Sequence, residues 1–139
     1  MQVKIKKLHP DAVMPQYAKD GDAGVDLTAV DVRADRYGNL TYHTGLAVEI
    51  PRWHVGLLFP RSSVYKTGMT LTNCVGVIDS GYRGEIMMKF ALGSPGGEYQ
   101  IGDRVGQLII MPYPKVEFSE VEELTSTDRG DGGYGSTGR

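Results

Sequence analysis

The sequence predicts an all-β domain, a jelly-roll-like β-barrel or sandwich carrying one short helix. Three observations predict it. Gly at 19 positions and Pro at 7 cut the 139 residues into short segments. Those segments alternate or run apolar and are bounded by turn residues every ~8–12 positions, the pattern of a sandwich or barrel. No segment sustains a 3.6-residue apolar period long enough for the helices of an α/β fold.

Val3-Lys4-Ile5-Lys6 alternates apolar and polar, the period of a half-buried strand. Leu46 to Ile50 stops at Pro51, and His54 to Phe59 stops at Pro60. Further strands are predicted at Met69–Thr72, Val75–Ile78, Glu85–Leu92 and Val105–Met111, each flanked by Gly, Pro, Asn or Asp. The one helix is expected after Pro60, capped by Ser62 or Ser63, turning through Val64-Tyr65-Lys66 and closed by a left-handed Gly68. Residues 1–124 form the expected β-domain. Residues 125–139 are glycine-rich and lack any aliphatic side chain, so they cannot pack a core of their own.

Apolar residues at 40% and charged residues at 23% suit one globular domain that needs no disulfide staples. Cys74 stands alone, so no intrachain disulfide forms; whether it is packed or reactive stays open. With 15 basic and 17 acidic side chains the net charge is −2, which argues against a nucleic-acid surface but leaves room for a local cationic pocket. The N-terminus lacks the apolar region of a signal peptide. No apolar run nears the ~20 residues a bilayer span needs. A cytoplasmic protein without membrane or nucleic-acid partners is expected.

Five segments carry residues suited to phosphate, water or a flat base. In Asp22-Ala23-Gly24-Val25-Asp26-Leu27, Asp26 either answers an arginine at a strand start or faces a polar site. In Pro60-Arg61-Ser62-Ser63, the guanidinium fork and two hydroxyls near a helix start read as an anion site or as an ordinary cap. In the run Gly76 to Glu85, Asp79 emerges at the end of an apolar strand and is a candidate base on water, or else merely shapes a hairpin. Tyr82 offers a flat face beside it. In Ile101 to Ile110, Arg104 and Gln107 interrupt a core-like strand and need partners; for Arg104 a structural partner is favoured. The tail adds Arg129, Tyr134, Ser136 and Thr137 among glycines that let backbone N–H groups approach phosphate closely. It is either a disordered end or a lid.

In this order and spacing the five segments resemble the five motifs of trimeric dUTPases, from about Asp22 to Arg139. The Ile-Asp-Ser-Gly-Tyr-Arg-Gly run at 78–84 and the Arg-Gly-Asp-Gly-Gly-Tyr-Gly-Ser-Thr-Gly tail at 129–138 are its most specific parts. The resemblance implies a homotrimer of jelly-roll-like subunits with sites at subunit interfaces, cleaving dUTP to dUMP and pyrophosphate. Such an enzyme keeps uracil out of DNA and supplies dUMP for dTMP synthesis. Asp79 matches the carboxylate that activates water for attack on the α-phosphorus. Tyr82 matches the aromatic beneath the deoxyribose, and Asn73 the residue that reads uracil. Arg61, Ser62, Ser63 and Gln107 match phosphate binders. Arg129, Ser136 and Thr137 match γ-phosphate contacts, and Tyr134 the aromatic that stacks on uracil. Mg²⁺ is the implied cofactor, without direct protein ligands, Asp26 reaching its shell through water. Tyr134 stands where Phe is commoner, and Gly81 where many relatives are acidic. Two alternatives stand beside this: a dCTP deaminase of the same superfamily, and a nucleotide-gated regulatory binding protein. His9, His43 and His54 lie apart, outside the motifs, and are expected to be structural or superficial.

Overall fold

The computed structural model describes every residue but Ser94, Thr137 and Arg139. Among the described residues nine strands form two antiparallel sheets. In chain order they are β1 (Lys4–Lys7), β2 (Val25–Thr28), β3 (Asp31–Ala34), β4 (Asn39–Glu49), β5 (His54–Phe59), β6 (Met69–Leu71), β7 (Gly76–Ile78), β8 (Glu85–Leu92) and β9 (Arg104–Pro112). The first sheet runs β1-β4-β8-β6, with β3 also paired to β4; the second runs β2-β9-β5-β7. The predicted all-β, jelly-roll-like class is the observed one.

β8 shows why the sheets face each other. Ile86, Met88 and Phe90 point inward and are buried, whereas Met87 and Lys89 point out, the period-two alternation of a strand. Opposite them lie Leu27, Leu58, Val105 and Leu108 of the second sheet. The rings of Tyr42, Phe90 and Tyr99 meet edge to face, with centroids 5.8–5.9 Å apart. Each such pair adds about 0.5–1.5 kcal/mol beyond its buried area.

β4 bends at Gly45, which has φ +65° and marks a register break between His43 and Ala47. A Cβ there would sit 2.6 Å from the Cβ of His9, so only glycine fits. Thr44, fully buried at the bend, donates to the carbonyl of Ile86 at 2.7 Å.

The sequence did not reveal β2, β3 or the first half of β4. β3 is only four residues long, with Val32 packed against the core and its Asp31 and Arg33 paired with each other at 3.0 Å. The helix is a 3-10 turn over Ser62–Lys66. Neither serine caps it: Arg61 occupies the N-cap position and makes no side-chain cap hydrogen bond. Thr67 takes the C-cap position, and Gly68 follows with the expected left-handed φ of +65°. Beyond β9, residues 113–136 carry no strand and are exposed apart from half-buried Gly132.

Candidate active site

The second sheet collects four of the five polar segments on adjacent strands. Asp26 lies on β2, Arg104 and Gln107 on β9, Arg61 just beyond the end of β5, and Asp79 just beyond β7.

Register brings the first, second and fourth segments together. Asp26 is paired with Gln107 across β2 and β9, and Gln107 with Phe59 across β9 and β5. Gln107 Nε2 donates to the carbonyl of Pro60 at 3.1 Å, which ties β9 to the residue before Arg61. Gly24 makes this possible, since a Cβ there would strike the Gln107 side chain. The Asp26 carboxylate, 18% exposed, meets Arg61 Nε at 3.1 Å through Oδ1 and accepts from Arg104 Nη1 at 2.9 Å through Oδ2. Asp26 therefore satisfies two arginines, one of them the anion-binding candidate. Arg61 and Ser62 line a shallow depression of about 600 Å³ with Gln107 and Cys74. Cys74 is exposed and holds φ +60° in a tight turn.

That turn leads into the third segment. Cys74 N donates to the Leu71 carbonyl at 3.1 Å and Val75 N to the Asn73 carbonyl at 2.6 Å. Asn73 borders a cavity of about 240 Å³ whose wall includes Gly76, Leu58 and Met87. Met87 was not singled out in the sequence; its outward place in the alternation of β8 was the available signal. After β7 the chain turns at once, Tyr82 N donating to the Asp79 carbonyl at 3.0 Å. Arg83 staples the turn by donating to the carbonyls of Ser80 (2.7 Å) and Tyr82 (2.9 Å). The Tyr82 ring lies over Gly84, and its hydroxyl donates to the Glu85 carbonyl at 3.0 Å. Glu85 in turn accepts from Gly45 N at 2.8 Å and pairs with His43 Nδ1 at 2.8 Å. His43 is thus structural, as expected of it.

Asp79 does not join the Arg61 cluster within one chain. β5 and β7 are antiparallel, with Leu58 opposite Gly76 and Gly56 opposite Ile78. Arg61 follows one end of this pair and Asp79 the other. Arg61 lies three residues beyond Leu58 and Asp79 one beyond Ile78, so about six residues of strand rise, roughly 20 Å, separate them along the pair. Asp79 itself is exposed on the single chain.

The tail joins neither cluster. Arg129 Nε donates to the Gly132 carbonyl at 3.1 Å, Ser136 N to that of Gly133 at 3.1 Å, and Tyr134 is fully exposed. Thr137 lies outside the described residues. Among those described, no group of three or more His, Cys, Asp or Glu is placed to hold a metal ion.

The fold and these clusters define a two-sheet β protein that gathers arginines, a serine hydroxyl and an amide side chain along one sheet. Residues 11–138 match the dUTPase family model. The chain is 40% identical to the deoxyuridine 5'-triphosphate nucleotidohydrolase of Hydrogenobaculum sp. (strain Y04AAS1), covering 99% of each chain. It is 43% identical to that of Escherichia phage T5, covering 98% of each. A mutant dUTPase of Staphylococcus bacteriophage 80alpha, solved with dUpNHpp, superposes with a TM-score of 0.88 at 27% identity over 99% of both chains. A mutant dUTPase from phage phi11 of S. aureus, described with a structural Mg(II) ion, gives a TM-score of 0.75 at 28% identity, over 91% of this chain and 100% of that one. The chain belongs to the dUTPase family, and its activity is that of a dUTP diphosphatase. No helix among the described residues is long and apolar enough to cross a membrane.

Proposed function

We propose that this chain is a cytoplasmic homotrimer that hydrolyses dUTP to dUMP and pyrophosphate at sites shared between subunits. The carrying observation is the separation of Asp79 and Arg61 at opposite ends of the β5–β7 pair. One chain alone cannot bring both to a single α-phosphate; two neighbouring copies can. The exposed apolar side chains Val116, Phe118, Val121 and Leu124 support association, because a lone subunit leaves them all to water.

Asp79 takes a proton from a water whose oxygen bonds to the α-phosphorus. The bond from that phosphorus to the α–β bridging oxygen breaks, and pyrophosphate departs with its electron pair. Such a base contributes roughly 10²–10⁴-fold. Arg61, Ser62, Ser63 and Gln107 grip phosphate oxygens, and the mainly positioning role of the protein suits this chemistry. Asn73 reads the uracil edge, and Tyr82 lies beneath the deoxyribose and leaves no room for a 2′-hydroxyl. Residues 125–139 close as a lid, with Tyr134 on the base and Arg129, Ser136 and Thr137 on the γ-phosphate. The reaction keeps uracil out of DNA and supplies dUMP for dTMP synthesis.

The residues fit Mg²⁺ arriving with the triphosphate. That ion takes phosphate oxygens and retains several waters, and Asp26 keeps lone pairs free after its two arginines, since a carboxylate has about four acceptor sites. Held there through water at Asp26, Mg²⁺ would neutralise phosphate charge. The test is incubation with each dNTP and Mg²⁺, with assays for pyrophosphate and ammonia. Pyrophosphate from dUTP alone is expected; ammonia from dCTP would replace this reading with a deaminase.

A further inference from the structure

Tyr82 stands in an exposed turn with little packing to aim it. It is 38% exposed, and its ring rests in the gap above Gly84. Among the described residues its side chain makes one hydrogen bond, from the hydroxyl to the Glu85 carbonyl at 3.0 Å. A ring that must exclude a single oxygen atom has to be held to about 0.5 Å, which demands an anchor that does not move.

The anchor is itself clamped. Glu85 opens β8 where the register with β4 breaks, between His43 and Ala47. Its half-buried side chain turns into that break. Oε1 accepts from the buried Gly45 N at 2.8 Å, and Oε2 pairs with His43 Nδ1 at 2.8 Å. Beside it Thr44 Oγ1 donates to the Ile86 carbonyl at 2.7 Å. The bend is held from behind as well, since the Gly45 carbonyl accepts from Leu8 N at 2.7 Å. Hydrogen bonds to an ionised carboxylate are stronger than neutral ones, and a buried N–H left without a partner is unfavourable. One residue therefore grips the core with its carboxylate and Tyr82 with its carbonyl.

We infer that Glu85 is a positioning residue for sugar recognition: its carboxylate, seated in the bend of β4, fixes the carbonyl that holds the Tyr82 hydroxyl. An alanine there would still present a carbonyl, but at a strand end tied to β4 by backbone pairing alone. The ring would swing with it, and room would open for a 2′-hydroxyl. This rests on the reading of Tyr82 as the surface beneath the deoxyribose.

The quantity to measure is the ratio of kcat/KM for dUTP to that for UTP. It does not change with the fraction of protein folded, so it separates the aim of the ring from stability. Glu85→Ala and Tyr82→Phe should each lower the ratio roughly 3- to 10-fold. The double variant should fall no further than the worse of the two. Glu85→Gln keeps an acceptor for Gly45 N and should hold the ratio within about twofold of wild type. A wild-type ratio in Glu85→Ala or in Tyr82→Phe overturns the inference, as do additive losses in the double variant or a Glu85→Gln loss equal to that of Glu85→Ala. Should Glu85→Ala not fold, Glu85→Asp, one methylene too short for the bend, replaces it with the same expected and overturning results. Tyr82→Ala tests the underlying reading. A wild-type ratio there removes Tyr82 from sugar recognition and the inference with it; a lost ratio there beside a wild-type ratio in Glu85→Ala strikes the inference alone.

Discussion

Arg104 donates from Nη1 to Oδ2 of Asp26 at 2.9 Å, joining residues 78 positions apart, while Arg61 engages the other oxygen. The two arginines are not equivalent. Arg104 has its side chain 51% exposed, against 28% for Arg61. An exposed pair contributes about 0–1 kcal/mol. Arg104→Gln should therefore lose little stability and keep kcat/KM within about fivefold. Asp26→Asn frees Arg61 as well, and losing charged hydrogen bonds of about 1.5–3 kcal/mol should raise KM for dUTP tenfold or more. Steady-state pyrophosphate release separates the two. Equal effects of both substitutions would show that Asp26 does not orient Arg61.

Gly84 sets the place of Tyr82. Its missing Cβ is the space into which the ring folds, and the ring is held by the hydroxyl bond to Glu85. Gly84→Ala should expel the ring at about 1–3 kcal/mol, the usual scale of overpacking. The expected result is a folded protein with kcat/KM for dUTP reduced about tenfold or more and with weaker rejection of UTP. Circular dichroism and competition between the two nucleotides check it; unchanged selectivity would detach Tyr82 from sugar recognition.

Asp35 makes the β3–β4 turn sensitive to acid. Its carboxylate accepts from the backbone N–H of Asn39 (3.0 Å) and the Asn39 side chain (3.1 Å), then from Tyr37 N (2.9 Å) and Lys89 (3.2 Å). These bonds, Asn39's foremost, lower its pKa from 3.8 to about 2. A carboxyl depressed on folding stabilises in full above 3.8, and that contribution is lost as pH falls toward about 2. Asp35→Ala should thus melt lower than wild type near neutral pH, and the gap should close near pH 2. A gap independent of pH would show that the ionised carboxylate is not what holds the turn.

What the sequence made legible follows from how local each signal is. β5 and β8 were read to the residue, because alternation is strict in β8 and Pro60 ends β5. β3 was missed because its charged residues hide an edge strand, and the Gly45 bend hid the length of β4. The motif segments stood out by residue type, and the sheet order now sets four of them on neighbouring strands. That Asp26 answers an arginine and that Arg104 has a structural partner was legible from residue type; which residues pair was not, since the contacts form only when distant strands meet.

The tail offers the sharpest separation of folding from catalysis. The buried apolar core draws on residues up to Leu108, and none of it lies beyond β9. Removing residues 125–139 should therefore leave the melting temperature nearly unchanged. Ordering a glycine-rich segment costs about 1–2 kcal/mol per residue, so closure needs several strong contacts at once, and Arg129 and Tyr134 are the groups able to make them. At ~3.3–3.6 Å per residue the extended segment spans up to ~50 Å, enough to reach a neighbouring copy. Its deletion should cut kcat/KM by orders of magnitude. A mixture of tail-less chains with chains carrying Asp79→Asn should recover part of the activity, if a tail from one copy closes over an Asp79 from another. Full activity in the truncated protein alone would end the lid; two inactive partners that stay inactive after co-refolding would confine the tail to its own subunit's aspartate.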